Sequence, residues 1–165
     1  MHTSAASCVA ALLWAALAFP SFPQGRTSDL RARFEHETNP VQKAKIMSDL
    51  GEAEFQDIRK DLDMDRVSDG LTLLTSYRDQ IEACTKALED KKIDAEKHPA
   101  GFKQLQISIQ ESLRRIDAML PSLTADDQAP FLEVRKELDE LDRHLIGELF
   151  PGRTPPPTAP ENPAK

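Results

Sequence analysis

The most constraining feature of this chain is an apolar stripe between residues 67 and 88, in which a hydrophobic side chain recurs every three or four positions. This spacing matches the roughly 3.6-residue period of an α-helix and places these side chains on one face. A half-buried strand would instead show strict alternation, and no segment of the chain does. The stripe predicts an amphipathic helix, with these members: Val67, Leu71, Leu74, Tyr77, Ile81, Cys84 and Leu88.

Three other stretches carry the same kind of stripe, and a shorter one precedes them. Their proline and polar boundaries separate them into distinct helices. The sequence therefore predicts an all-α fold with four long helices and a short lead-in helix. The lead-in helix is expected over residues 28–37, and the long helices over 40–62, 66–96, 99–120 and 125–150.

Two helix starts and one close contact are indicated by particular residues. Asn39 before Pro40 is typical of a capped helix start, and Thr124 with Asp127 three residues later resembles a capping arrangement. Gly51 lies inside a predicted helix, where a glycine destabilises by about 1 kcal/mol relative to alanine. We expect it to mark a close crossing with a neighbouring helix.

The N-terminal segment is typical of a signal peptide. Val9–Phe19 is an unbroken apolar run, too short for the roughly 20 residues that span a bilayer, and Ala16–Ala18 offers a cleavage motif. Cleavage after Ala18 is the first choice, and a site within 21–25 is the alternative. An uncleaved anchor and lipidation at Cys8 are the other interpretations, although the apolar run follows Cys8 instead of preceding it. Residues 1–25 are assigned to this segment, which predicts a periplasmic or secreted protein.

The remaining chain divides into one domain and a tail. Residues 26–150 form the helical domain. Residues 151–165 contain six prolines and no large apolar side chain, so this tail is expected to be disordered. The net charge of −7 disfavours nucleic-acid binding, because phosphates repel an acidic surface. With Cys8 removed, Cys84 has no disulfide partner and is expected to be a small buried hydrophobe.

Short connections favour antiparallel neighbours, so an antiparallel bundle of the four long helices is the simplest arrangement. Stacked helical hairpins are the alternative. The stretch Asp65–Leu71, followed by Leu74 and Tyr77, resembles the opening of a tetratricopeptide repeat. That resemblance implies two stacked hairpins, although no 34-residue period recurs downstream.

Four acidic residues at one predicted helix connection form the clearest candidate metal site. Asp61, Asp63, Asp65 and Asp69 occupy positions 1, 3, 5 and 9 of an EF-hand-like loop, where carboxylate oxygens bind calcium. The pattern is incomplete, because Arg66 stands where the loop needs glycine and position 12 is not glutamate. An acidic helix–helix turn is the simpler interpretation, with a weak calcium site as the alternative.

The chain contains no sequence pattern for catalysis or for a bound cofactor: there is no glycine-rich phosphate loop, no haem-attachment motif and no Glu-x-x-His pair. The stretches His98–Lys103 and Leu113–Ile116 resemble exported bacterial helical proteins without an assigned activity. Leu123–Gln128 resembles the Leu-Thr-x-x-Gln motif of small exported chaperones, with one extra residue. A periplasmic holdase chaperone is therefore one alternative function.

The function that the sequence favours is non-enzymatic contact with another protein, of unknown identity, without cofactor or nucleic acid. Four apolar residues fall outside the stripes and are available to a partner: Leu73, Ile107, Leu132 and Ile146. No stable membrane span is expected after signal cleavage, and the oligomeric state is left open.

Overall fold

The computed structural model describes residues 24–152, and within this range there are helices but no strands. The all-α prediction is confirmed. The helices are α1 (Gln24–His36), α2 (Pro40–Asp63), α3 (Val67–Asp90), α4 (Ala100–Met119) and α5 (Ala125–Leu149), with a single 3-10 turn at Leu120–Ser122. Most of the predicted signal peptide (1–23) and of the proline-rich tail (153–165) lies outside the described residues.

Both predicted helix caps are present. The side-chain oxygen of Asn39 accepts hydrogen bonds from the backbone N–H groups of Val41 (3.0 Å) and Gln42 (3.3 Å). Thr124 accepts one from the N–H of Asp127 at 3.3 Å. These bonds satisfy backbone donors that have no partner inside the helix, which is why α2 and α5 begin where the sequence predicts.

The predicted helix over 66–96 is too long, because α3 ends about six residues earlier. Lys92 adopts a left-handed conformation with φ 52°. Its N–H donates to the carbonyl of Glu89, and the N–H of Ile93 donates to the carbonyl of Leu88. This pair of bonds is the Schellman motif, which usually carries glycine at the left-handed position. Without that glycine the helix end was not visible in the sequence.

The described part of the chain forms two helical hairpins, α2–α3 and α4–α5, and the two helices of each hairpin run antiparallel. In α4 and α5 the side chains of Asp117 and Arg135 pair, as do those of Gln110 and Asp142, so residue numbers rise along one helix as they fall along the other. The three-residue connection after α2 brings α3 back along α2 in the same way. Helix α1 packs on α2 through the buried side chains of Leu30 and Phe34.

Neighbours in different hairpins run parallel instead. A Cβ on Gly101 would lie 3.5 Å from the Cα atom of Val41, and Arg115 lies over the ring of Phe55. Residue numbers therefore rise together along α2 and α4. Helices α3 and α5 follow the same rule, through the pairs Arg78–Glu137 and Glu89–His144.

Gly51 occupies the close crossing that the sequence predicts. A Cβ at this position would lie 2.8 Å from the Tyr77 ring on α3. That ring is fixed from other sides: it packs edge-on against Phe55, and its hydroxyl accepts a hydrogen bond from Ser112 at 2.6 Å and donates to the carbonyl of Ser108 at 3.3 Å. The absence of a side chain at Gly51 lets α2 and α3 approach this closely.

Candidate functional site

The predicted metal-binding residues lie at the α2–α3 connection. Asp61 and Asp63 belong to the last turn of α2, and Asp69 belongs to the first turn of α3. Asp65 is left-handed (φ 58°) and, with Arg66, closes α2 by a second Schellman motif. The structured turn is therefore much shorter than the roughly 12-residue EF-hand loop.

The charges at this connection are partly neutralised by an arginine. Arg66 forms an ion pair with Asp61, and its Nε lies 3.9 Å from a carboxylate oxygen of Asp69. Between residues 24 and 152, no three His, Cys, Asp or Glu side chains are grouped so that they can hold a metal ion. Calcium binding at these four aspartates stays a prediction, and an ion that used Asp61 would compete with Arg66.

The four apolar residues that fall outside the stripes divide into two pairs. Ile107 on α4 and Leu132 on α5 are 48% and 45% exposed. Leu73 and Ile146 are half-buried, and Leu73 packs against the core. Single exposed apolar side chains are normal on protein surfaces, so only a contiguous apolar surface points to a binding site.

A contiguous apolar surface does occur where α2 and α4 begin. It is a groove of about 580 Å³ whose walls come from two stretches that are distant in the sequence: the first turn of α2, and the α3–α4 connection with the first residue of α4. We call it the apolar groove, and its lining residues are Val41, Ile93, Lys97, His98, Pro99 and Ala100. Sequence reasoning missed it, because Ile93 was placed inside a continuous helix.

The rim of the apolar groove carries hydrogen-bond donors and positive charge. The first turn of α4 has no side-chain cap, so its backbone N–H groups lack the partner that Asn39 gives to α2. Lys97 and His98 are exposed beside them, and Lys97 pairs with Asp94 at 2.8 Å. The aligned peptide dipoles of α2 and α4 add partial positive charge at the same place. The groove is suited to an apolar group flanked by acceptors.

A buried carboxylate lies between α4 and α5. Asp142 is 4% exposed, and one of its oxygens accepts a hydrogen bond from the Gln110 amide at 2.6 Å. Its other oxygen has no hydrogen-bond partner among the described residues. Burial raises the pKa of Asp142, and the hydrogen bond from Gln110 offsets only part of this effect.

We expect Asp142→Asn to raise the free energy of unfolding by about 1 kcal/mol at pH 7, because asparagine keeps an acceptor for Gln110 without burying a charge. The raised pKa means that the folded state holds this proton more tightly than the unfolded chain. The contribution of Asp142 to stability is therefore fully present below its unfolded pKa of about 3.9 and falls as pH rises through the folded pKa. Urea unfolding of both proteins should show that the difference between their free energies of unfolding becomes smaller as the pH is lowered towards 4. A variant less stable than the parent at pH 7 would contradict this account.

A second buried carboxylate lies beneath α1. Glu54 on α2 is fully buried, and a single oxygen accepts hydrogen bonds from Arg31 (2.6 Å) and from the Gln80 amide (3.2 Å). Its other oxygen has no hydrogen-bond partner in the described part of the chain. Arg31 is 37% exposed, so the pair joins the surface helix α1 to the core.

The thiol of Cys84 is not suited to act as a nucleophile. Cys84 is fully buried, as the sequence predicts, and desolvation raises the pKa of its thiol to about 12. A thiol that stays protonated at neutral pH is a poor nucleophile.

The stretch Leu123–Gln128, which resembles the chaperone motif, stabilises the connection before α5. Thr124 caps this helix, and the Gln128 amide donates hydrogen bonds to the carbonyls of Leu120 (3.0 Å) and Leu123 (3.2 Å). The side chains of Thr124 and Gln128 therefore have local structural roles, in hydrogen bonds to the neighbouring backbone. A holdase activity stays a prediction.

Comparison with known proteins gives no relative for this chain: no family model, no curated protein and no solved structure matches it. None of the helices between residues 24 and 152 combines the length and the apolar character needed to cross a membrane.

Proposed function

We propose that this protein is exported and acts without catalysis, by binding a segment of another protein in the apolar groove at the start of α2 and α4. The observation that carries the proposal is the groove itself, about 580 Å³ with apolar walls from Val41, Ile93, Pro99 and Ala100. Covering exposed apolar surface with a partner stabilises the complex by about 25 cal/mol per Å² of apolar area removed from water. Export is proposed from the sequence, because the apolar run Val9–Phe19 is typical of a signal peptide.

The rim of the groove favours one partner chemistry. Lys97, His98 and the uncapped N–H groups of α4 surround the apolar walls. A segment with a large apolar side chain next to an acidic residue would satisfy both features, because the carboxylate would face the N-terminal ends of two parallel helices. The protein as a whole carries a charge of −7, so this local donor-rich rim gives orientation to an acidic partner.

We also propose that the hairpins α2–α3 and α4–α5 stack side by side, in the tetratricopeptide-like arrangement, in preference to a closed antiparallel bundle. The parallel pairs support this: Val41 with Gly101 and Phe55 with Arg115 are each separated by about 60 residues, as expected if one hairpin repeats the placement of the other. This stacking would bring the starts of α2 and α4 together and so create the groove.

Ala100→Glu tests the proposed function. Ala100 is an exposed groove residue at the first position of α4, where an acidic side chain is favourable for the helix. We therefore expect the variant to fold normally but to place a bulky negative charge in the groove. Cross-linking from a photoreactive side chain at position 100 should first identify a partner in the native host. Affinity purification without the cross-linker should then recover about tenfold less of that partner with Ala100→Glu than with the parent protein.

The matched control is Ala125→Glu, the same change at the first position of α5, which is also exposed. It alters the net charge by the same amount but lies outside the groove. Unchanged recovery in this control, with loss in Ala100→Glu, supports the proposal. Equal recovery by all three proteins, or the absence of any cross-linked protein, would overturn it.

A further inference from the structure

We propose that a second pocket, between the C-terminal halves of α2 and α4, binds a carboxylate group attached to an apolar side chain. This pocket of about 210 Å³ is separate from the apolar groove, and the proposal does not depend on it. We call it the arginine pocket. Its lining residues are Glu52, Phe55, Gln56, Arg59, Arg115 and Met119.

Two arginine residues from different helices line the arginine pocket. Arg59 is contributed by α2 and Arg115 by α4. Because these helices run parallel, with Phe55 beside Arg115, the two arginines lie at nearby levels of the pair. Guanidinium groups bind carboxylates through paired, charge-assisted hydrogen bonds.

Neither arginine has an ionic partner among residues 24–152. Five of the eight other arginines in this range pair with a carboxylate: Arg31, Arg66, Arg78, Arg135 and Arg143. Arg115 instead lies over the Phe55 ring, with its guanidinium carbon 5.5 Å from the ring centroid. This cation–π contact orients the guanidinium and leaves its N–H donors available to a ligand.

The floor and rim of the arginine pocket indicate the apolar part and the charge of the ligand. Phe55 and Met119 are both 5% exposed and give the pocket an apolar floor. Glu52 is exposed at the rim and forms no ion pair with either arginine, but its charge lowers the net positive charge of the pocket. A single negative charge next to an aliphatic side chain fits this balance better than a phosphate, which carries more charge and no apolar part.

The test uses small probes that differ only in their carboxylate. N-acetyl-leucine carries a terminal carboxylate beside an apolar side chain, and N-acetyl-leucinamide lacks the charge. Titration of the ¹⁵N-labelled protein should shift the Nε–Hε signals of Arg59 and Arg115, with affinity about tenfold weaker for the amide. N-acetyl-glutamic acid α-amide, whose only carboxylate is on the side chain, distinguishes a chain terminus from an acidic side chain, and either result supports carboxylate binding.

The variants are matched in charge. Arg115→Gln should weaken N-acetyl-leucine binding about tenfold, and Arg114→Gln, a change at the adjacent exposed arginine outside the pocket, should leave it unchanged. Arg59→Gln, at an exposed position that contacts no ring between residues 24 and 152, gives the same test if Arg115→Gln fails to fold. Equal binding of acid and amide, equal losses in the Arg114 and Arg115 variants, or no shift with any carboxylate probe would overturn the proposal.

Discussion

Arg31→Ala is expected to lower the free energy of unfolding by about 3 kcal/mol, measured by urea denaturation at pH 7. Arg31 is on α1, and its guanidinium provides the charged partner of Glu54, whose side chain is fully buried. Removing the arginine leaves a carboxylate in the core with only the Gln80 amide as donor. Breaking a buried pair from one side is more destabilising than replacing both partners, because a single buried charge is left without compensation.

Two further variants separate this effect from simple loss of a surface side chain. Arg33→Ala removes an arginine from the same helix at an exposed position without an ion pair in the described range, and it should change stability by less than about 0.5 kcal/mol. Arg31→Met combined with Glu54→Leu removes both charges and should recover most of the loss. If Arg31→Ala and Arg33→Ala lower the free energy of unfolding by the same small amount, the ion pair with Arg31 does not stabilise the buried Glu54 carboxylate.

Gly51→Val is expected to destabilise the protein by about 3 kcal/mol, since a side chain at this position would overlap the Tyr77 ring. The nearest ring atom would lie 2.8 Å from the new Cβ. Tyr77 cannot yield easily, because its hydroxyl is hydrogen-bonded to Ser112 and its ring packs against Phe55. Thermal unfolding followed by circular dichroism should show a lower midpoint.

The control for the glycine prediction is Gly147→Val on α5. A Cβ at Gly147 would meet no atom within 4 Å, so the substitution there reports helix propensity alone. Since valine is a better helix former than glycine, we expect the midpoint to stay the same or rise slightly. A Gly51→Val protein as stable as this control would show that α2 and α3 are not in close contact at Tyr77.

The helix starts could be predicted because they depend on neighbouring residues. Asn39 and Thr124 bond to N–H groups two or three residues ahead, so their effect is local. The end of α3 could not be predicted in this way. It depends on Lys92 accepting a left-handed conformation, which a lysine seldom adopts and which no short pattern identifies.

The candidate sites also differ in whether their residues are close in the sequence. The aspartates at the α2–α3 connection were found because they are close in sequence, whereas the apolar groove and the arginine pocket combine residues about 60 positions apart. Arg59 and Arg115 belong to separate helices, and only the parallel packing of α2 on α4 places them around one pocket. Nothing in the linear pattern specifies that packing.

The sequence by itself determined that this chain is helical, where most helices begin, and that Gly51 marks a crossing, since these properties follow from the periodicity and from neighbouring side chains. The tertiary structure decided which helices lie side by side, and thereby which polar groups are buried and which surfaces stay open. The physical reason is that an apolar stripe specifies which face of a helix avoids water, but many neighbours can cover the same face.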